Sequence, residues 1–403
     1  MITIDIPGSK SIAARALVCR LLGGHDTVLT NLPDCGDTRG MLRLTEAVRN
    51  ALASGEPATV DIGEGGTTLR FGMAACASIP GLDITLIGSP RLMERPHATL
   101  VQALRDMGAD ITPLPARHAL HIRGRELSGG AIRLDGSVSS QYLSALMLAA
   151  PAWQADTCFI LEGDVVSRPY IEMTAGVMRA FGADVRVADG GRFEVKVRAA
   201  GYAQCARYDI EGDWSGASYF FELSLIAAEL DIHLPAFVMP SLKAPAESLQ
   251  GDSRVAGIFA HAAGCLGRTT PQILNLHDAP DLVPAVAVGL CLAHLPFRID
   301  GVAHLRHKES DRMAAIATEL RRLGYIVRTS DDSMAWDVLK CCPDRDPLIR
   351  TYQDHRMAMA FAPARLAFPT LRIEDPTVVE KSFPSYWEEL GKLMPQQSNT
   401  PHK

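Results

Sequence analysis

The chain has 403 residues, enough for two or three domains that each bury a core of their own. Hydrophobic residues make up 47% and charged residues 21%, the balance of a soluble globular protein. A net charge of −6 argues against a general nucleic-acid binder, so any anion site must be a local cluster of cations. The nine cysteines are scattered without a CxxC pair, which reads as reduced thiols in a cytosolic protein. The opening MITIDIPGSK has neither the basic start nor the apolar stretch of a signal peptide, and no apolar run is long enough to span a bilayer. The expected location is the cytoplasm.

The first element of interest is PGSKSIAARALVCRLLGG, Pro7 to Gly24. A nucleotide P-loop needs glycine directly before its lysine, and Ser9 stands there instead, so that reading fails. What remains is a helix start carrying Lys10, Ser11 and, one turn on, Arg15. It fits either an anion-binding helix N-terminus or a capped helix with solvated charges. GEGGTTLRFGMAA is a second glycine-rich turn into a helix, with Gly66 open to close approach and Arg70 a turn further. GSPRLMERPHATL sets Arg91 and Arg95 ahead of another helix, with Pro96 expected in its first turn. Arginine's planar fork suits carboxylate and phosphate.

In DGSVSSQYLSALMLAAP, Ser137, Ser139, Ser140 and Gln141 crowd the start of an apolar helix. One serine suffices for a cap, so four polar side chains point to a phosphate ligand. VSRPYIEMT places Ser167 and Arg168 similarly. EGDWSGASYFFELSLIAAEL reads as a junction into a long apolar helix, with a domain crossover near Gly212 and a second hinge at Pro7-Gly8. In HDAPDLVPAVAV, Asp278 and Asp281 precede a buried helix, where they serve equally well as caps. RHKESDRMAAIATEL gathers Lys308, Glu309, Asp311 and Arg312; YQDHRMAMAFA puts Asp354, His355 and Arg356 at the head of an apolar helix, where charges need partners. VVEKSFPSYWEEL adds Lys381.

One pattern recurs: an amphipathic helix, a glycine, then a β-rich run. It ends at Gly108, Gly182 and Gly324, and more weakly in VAGIFAHAAGCLGRTT. His118 and His121 alternate as on a strand. No HExxH cluster and no GxSxG elbow occurs. At least seven helix starts or loops carry Lys, Arg or paired serines, which suits small, multiply anionic substrates.

Taken in order, PGSKSxxxRAL, GGTTLR, RLMERP, DGSVSSQYLSAL, SRPYI, EGDWSGASYF, HKESDR, YQDHRMAMAF and KSFPSYWEEL resemble the 5-enolpyruvylshikimate-3-phosphate synthases over nearly the whole chain. The resemblance implies an α/β fold (α+β), a two-domain inside-out α/β barrel of the enolpyruvyl transferase type, each domain three βαβαββ units. The expected domains are residues 9–212, residues 1–8 with 213–393, and a flexible tail 394–403. The implied reaction moves the enolpyruvyl group of phosphoenolpyruvate to the 5-hydroxyl of shikimate 3-phosphate and releases phosphate. It implies no metal or organic cofactor, no nucleic-acid or membrane partner, a monomer, and glyphosate as a phosphoenolpyruvate-competing inhibitor.

By motif match, shikimate 3-phosphate would meet Lys10, Ser11, Arg15, Ser139, Ser140, Gln141, Ser167, Asp281 and Lys308. Phosphoenolpyruvate would meet Lys10, Gly66, Arg70, Arg95, Gln141, Arg312, Arg356 and Lys381. Asp281 would be the base at the hydroxyl, Glu309 would exchange the methylene proton, and Lys10 would assist as a cationic acid. Glu64 and His304 stand where the family commonly has Asn, and Phe71 where Pro is frequent. The related transferase acting on UDP-N-acetylglucosamine fits less well, since it pairs the first lysine with Asn and carries a loop cysteine that GSPRLMERPHATL lacks. A degenerate binding module is disfavoured by the intact cationic set.

Overall fold

Gly108, Gly182 and Gly324 take left-handed backbone, φ +104°, +78° and +91°, conformations that cost a side-chain-bearing residue energy. Each turns a helix into the next strand of one repeated motif. The computed structural model describes residues 1–136, 140–163, 165, 167–190, 192–307 and 311–394. The chain separates into two units, Gly8–Glu211 and Met1–Pro7 with Gly212 onward.

The Gly8–Glu211 unit contains helices α1 (Lys10–Gly23), α2 (Gly36–Ser54), α3 (Gly66–Ala77), α4 (Pro90–Met93), α5 (Ala98–Asp106), α6 (Ser140–Ala149) and α7 (Arg168–Ala180). One sheet orders its strands Ala58–Gly63, Asp83–Gly88, Ala119–Arg123, Asp110–Leu114; the first pair is parallel and the others antiparallel. The second sheet, Gly130–Asp135, Thr157–Glu162, Phe193–Val197, Val185–Asp189, repeats that order and those directions. A parallel pair, Val28–Thr30 with Arg207–Asp209, completes the strands. Along Ala58–Gly63 and Gly130–Asp135 burial alternates, leaving one sheet face to solvent. α1, α3, α6 and α7 pack on one another. Every residue of α6 from Tyr142 on is buried, which its apolar sequence permits on all sides.

The other unit contains α8 (Trp214–Glu229), α9 (Val255–Ala263), α10 (Val283–Leu292), α11 (Arg312–Arg322), α12 (His355–Phe361) and α13 (Tyr386–Gly391). Its sheet, Gln272–Asn275, Phe297–Asp300, Ser333–Trp336, Arg328–Thr329, has the same order and directions. Two parallel pairs, Ile2–Thr3 with Phe237–Val238 and Leu348–Ile349 with Arg372–Ile373, are only two residues long. Among the described residues, full four-stranded copies of the motif therefore form twice in one unit and once in the other. α8, α10 and α12 pack together, and every residue of α10 is buried.

Some local expectations change. Gly264, in the weak fourth copy, keeps φ −68°, and the left-handed turn falls at Gly267. Pro96 precedes the His97 N-cap of α5 rather than starting the helix; Pro90 takes the first position of α4 instead. His118 is the left-handed residue before its strand, and only His121 lies in it, bonded to Asp83 at 2.8 Å. Met394, expected to begin a flexible tail, bonds back to the Leu390 carbonyl at 3.1 Å and packs on the core; residues 395–403 lie outside the described residues. Among the described residues no helix is long and apolar enough to cross a membrane.

One polar group sits badly in the second core. Glu222 on α8 is 0% exposed, and neither carboxylate oxygen has a hydrogen-bond partner. Its Cγ and the Phe259 ring close over Gly289 of α10, where a Cβ would meet them at 3.1 and 3.0 Å. Burial holds this carboxyl well above its ordinary pKa. The native chain thus keeps a proton that the unfolded chain loses above about pH 4.3, and stability falls as pH rises beyond that point. Glu222→Met is expected to raise the melting temperature, and by more at pH 8 than at pH 5, in paired thermal melts.

Candidate active site

Within the Gly8–Glu211 unit, the glycine-rich turn does more than start α3. A Cβ on Gly66 would meet an Arg95 Nη at 3.0 Å and an Arg70 Nη at 3.1 Å, so two guanidinium groups stand over one spot that only glycine leaves open. Arg70 Nη1 donates to the Gln141 side-chain oxygen and to the Gly66 carbonyl at 3.4 Å. Four predicted residues, Gly66, Arg70, Arg95 and Gln141, thus converge. Two like charges this close favour a shared anion. Glu64 is exposed in the loop just before.

Lys10 opens α1 and pairs with Asp37 in the first turn of α2, Nζ to Oδ2 3.2 Å, both largely shielded. The Asp37 carbonyl in turn accepts from Thr68 of α3 at 3.4 Å. Arg15 is 2% exposed. Its Nε donates to Thr174 Oγ1 (2.7 Å), Nη1 to the Ser11 carbonyl (2.8 Å), and Nη2 to Ser144 Oγ and the Tyr170 carbonyl (both 3.3 Å). Its guanidinium also lies 5.2 Å from the Phe71 ring centre. Burial brings its pKa down to about 10, still charged at neutral pH. Arg15 therefore knits α1 to α6 and α7 and fixes Ser11 from behind. Ser140 opens α6, and Ser167, at φ +55°, precedes α7 without capping it. Ser139 lies outside the described residues. Arg168 turns to Glu172 (3.0 Å) and Asp189 (2.5 Å).

The other unit gathers its own set. Asp281, in the turn Pro280–Leu282, does not cap α10, whose N-cap is Leu282. Instead its carboxylate takes Arg312 Nη1 at 3.2 Å and Arg356 Nη2 at 2.8 Å, and its carbonyl takes Arg356 Nη1 at 3.3 Å. Arg312, the first residue of α11, also gives Nε to Asp354 at 2.8 Å. Asp354 caps α12 through the Arg356 amide at 3.0 Å. Asp252, just before α9, accepts from the Ser215 hydroxyl. Burial first, then the Asp281 charge, push its carboxyl up to about 7, against the pull of Ser215 and Arg356. Lys381 ends the turn Pro376–Lys381, which packs on α12. Lys308 and Glu309 lie outside the described residues. His304 and His277 meet edge to face, centres 5.9 Å apart.

Asp37, Asp252 and Asp354 were not among the predicted site residues. Asp37 and Asp354 occupy helix starts, where carboxylates are commonplace; Asp354 reads as a charge in need of a partner, but nothing local says that the partners of the two are cations 27 and 42 positions away. Among the described residues, no three His, Cys, Asp or Glu side chains group to hold a metal ion.

A family model of EPSP synthase (3-phosphoshikimate 1-carboxyvinyltransferase) matches residues 2–390. A 3-phosphoshikimate 1-carboxyvinyltransferase of Bacteroides fragilis is 38% identical, across 97% of this chain and 94% of its own. The chain belongs to the EPSP synthase family. A relative of the same description from an Enterobacter species is 34% identical over 97% of this chain and 96% of its own. Two solved structures share the fold: EPSP synthase from Acinetobacter baumannii (TM-score 0.70, 19% identity, 97% and 95% coverage) and the enolpyruvyl transferase NikO from Streptomyces tendae (TM-score 0.67, 14% identity, 98% and 94% coverage).

Arg312 is 1% exposed beside an Asp354 carboxylate that is fully buried. Arg312→Met strands that charge and is expected to cost about 3–5 kcal/mol in urea unfolding. The double variant with Asp354→Asn should recover part of the loss, as coupled neighbours do.

Proposed function

We propose that the chain carries out the EPSP synthase reaction with the residues grouped above: it adds the 5-hydroxyl of shikimate 3-phosphate to phosphoenolpyruvate and expels phosphate, the sixth step toward chorismate and the aromatic amino acids. The observation that carries the reading is the trio Asp281–Arg312–Arg356, a base and two anion-binding cations in direct contact, in a chain of this family.

On this reading Gly66, Arg70, Arg95, Gln141, Arg312, Arg356 and Lys381 hold phosphoenolpyruvate by its phosphate and carboxylate. Ser11, Ser139, Ser140, Gln141, Ser167 and Lys308 hold shikimate 3-phosphate, with Arg15 behind Ser11. Asp281 removes the hydroxyl proton as oxygen attacks C2 of phosphoenolpyruvate. Glu309, with Lys10 as cationic assistant, delivers a proton to C3, giving a tetrahedral intermediate. Loss of phosphate, which takes up the proton held by Asp281, and return of a C3 proton to Glu309 restore the C2–C3 double bond, now as the enol ether of the product. Proton transfer of this kind and cationic stabilisation are each worth orders of magnitude in rate.

The ion pairs give the sequence a trigger. Arg312 and Arg356 each bond one oxygen of the Asp281 carboxylate. Phosphoenolpyruvate competes for the same guanidinium groups; once they turn to its charges, Asp281 loses two cationic neighbours and becomes more basic. The substrates are small and soluble, and we place the protein in the cytoplasm as a monomer open to glyphosate in competition with phosphoenolpyruvate.

A coupled assay for phosphate release from the two substrates tests the assignment. Release at saturating substrate is expected, and none would overturn it. Glu309→Gln should cut turnover by orders of magnitude with modest change in binding; near-normal turnover would remove Glu309 from the proton role.

A further inference from the structure

Arg70 and Arg95 reach the Gly66 spot from different elements, α3 and the loop before α5, and two like-charged groups aimed at one point must be held there against repulsion. Gln141 accepts from Arg70. The next residue on α6 reaches both arms. Tyr142 is 7% exposed; its ring face lies 5.4 Å from the Arg70 guanidinium carbon, within cation–π range. Its hydroxyl donates to the Pro96 carbonyl, immediately after Arg95. On the far side of that peptide, the Arg95 carbonyl meets His97 Nδ1 at 2.8 Å, and the Arg95 amide bonds the Leu92 carbonyl at 3.2 Å.

We infer that Tyr142 is a positioning residue for phosphoenolpyruvate: one rigid side chain on α6 sets the spacing of Arg70 and Arg95 through its ring face and its hydroxyl. It does not touch the reacting atoms. Because α6 is buried along its length from Tyr142, the ring has a fixed base from which to hold both arms. The two functions are separable chemically. Tyr142→Phe keeps the ring beneath Arg70 and releases the Pro96 carbonyl, whereas Tyr142→Leu loses both.

The inference rests on the enolpyruvyl-transfer reading. Its test is steady-state kinetics on the full chain, with isothermal titration of phosphoenolpyruvate or glyphosate into protein saturated with shikimate 3-phosphate. Tyr142→Phe should raise the KM for phosphoenolpyruvate and weaken glyphosate about fivefold, with a smaller loss in kcat and less than about twofold change in the KM for shikimate 3-phosphate. Tyr142→Leu should weaken both ligands of the Arg70–Arg95 spot about a further fivefold, and Tyr142→Trp should not restore them, since an indole N–H cannot reproduce the hydroxyl's reach. If the unsubstituted protein releases no phosphate from the two substrates, the reading of function falls. If it turns over while Tyr142→Phe keeps its phosphoenolpyruvate KM, or loses both substrates alike, the role of Tyr142 falls and the reading of function stands.

Discussion

A guanidinium taken out of water must be matched by negative charge, and the second unit depends on that constraint. Arg312 is almost wholly enclosed, and Asp354 and Asp281 neutralise it from two sides while Arg356 shares Asp281. Removing any one member leaves a charge without compensation, so the four side chains are fixed together. The same economy gives the site its chemistry. In the reaction we propose, that same carboxylate would take the proton, and the incoming anions would compete with it for the same partners.

The Gly8–Glu211 unit solves a related problem differently. Among the described residues, Arg15 finds neutral acceptors rather than a carboxylate. Lys10 has Asp37, whereas Arg15 is held by neutral acceptors on three helices; an amide and an aromatic face are among the partners of Arg70. Neutral partners orient a guanidinium without cancelling its charge, which leaves the field available to a phosphate. The repeated motif makes this arrangement affordable in structural terms. Central helices such as α3 and α6 are enclosed by apolar contacts, so their starting residues are held by the body of the helix rather than by the ligand.

Much of this was legible in the sequence because the relevant signals are local. Helix–glycine–strand joints, the apolar helices and the cationic helix starts all announce themselves within a dozen residues, and the family resemblance ordered them into an α/β fold. Pairings across long separations were not legible. Asp281 read equally well as a helix cap, and only the folded chain, bringing Arg312 and Arg356 onto it from positions 31 and 75 residues away, decides otherwise. Asp252 was invisible for the same reason: its perturbation arises from burial and from Asp281, neither of which a spacing encodes. Tyr142 sits within the apolar stretch of α6 and nothing in the sequence singles it out; its hydroxyl finds the Pro96 carbonyl only through tertiary packing.

The exchange of Asp281 for a substrate anion on Arg312 and Arg356 is the central claim, and proton linkage measures it most directly. Titrating phosphoenolpyruvate into the complex with shikimate 3-phosphate, in buffers of different ionisation heat, reports the protons taken up on binding. A carboxylate that loses two cationic partners becomes more basic, so the unsubstituted protein should take up more protons than Asp281→Asn under the same conditions. Equal proton uptake by the two proteins would mean that Asp281 keeps its arginines throughout, and would contradict the exchange.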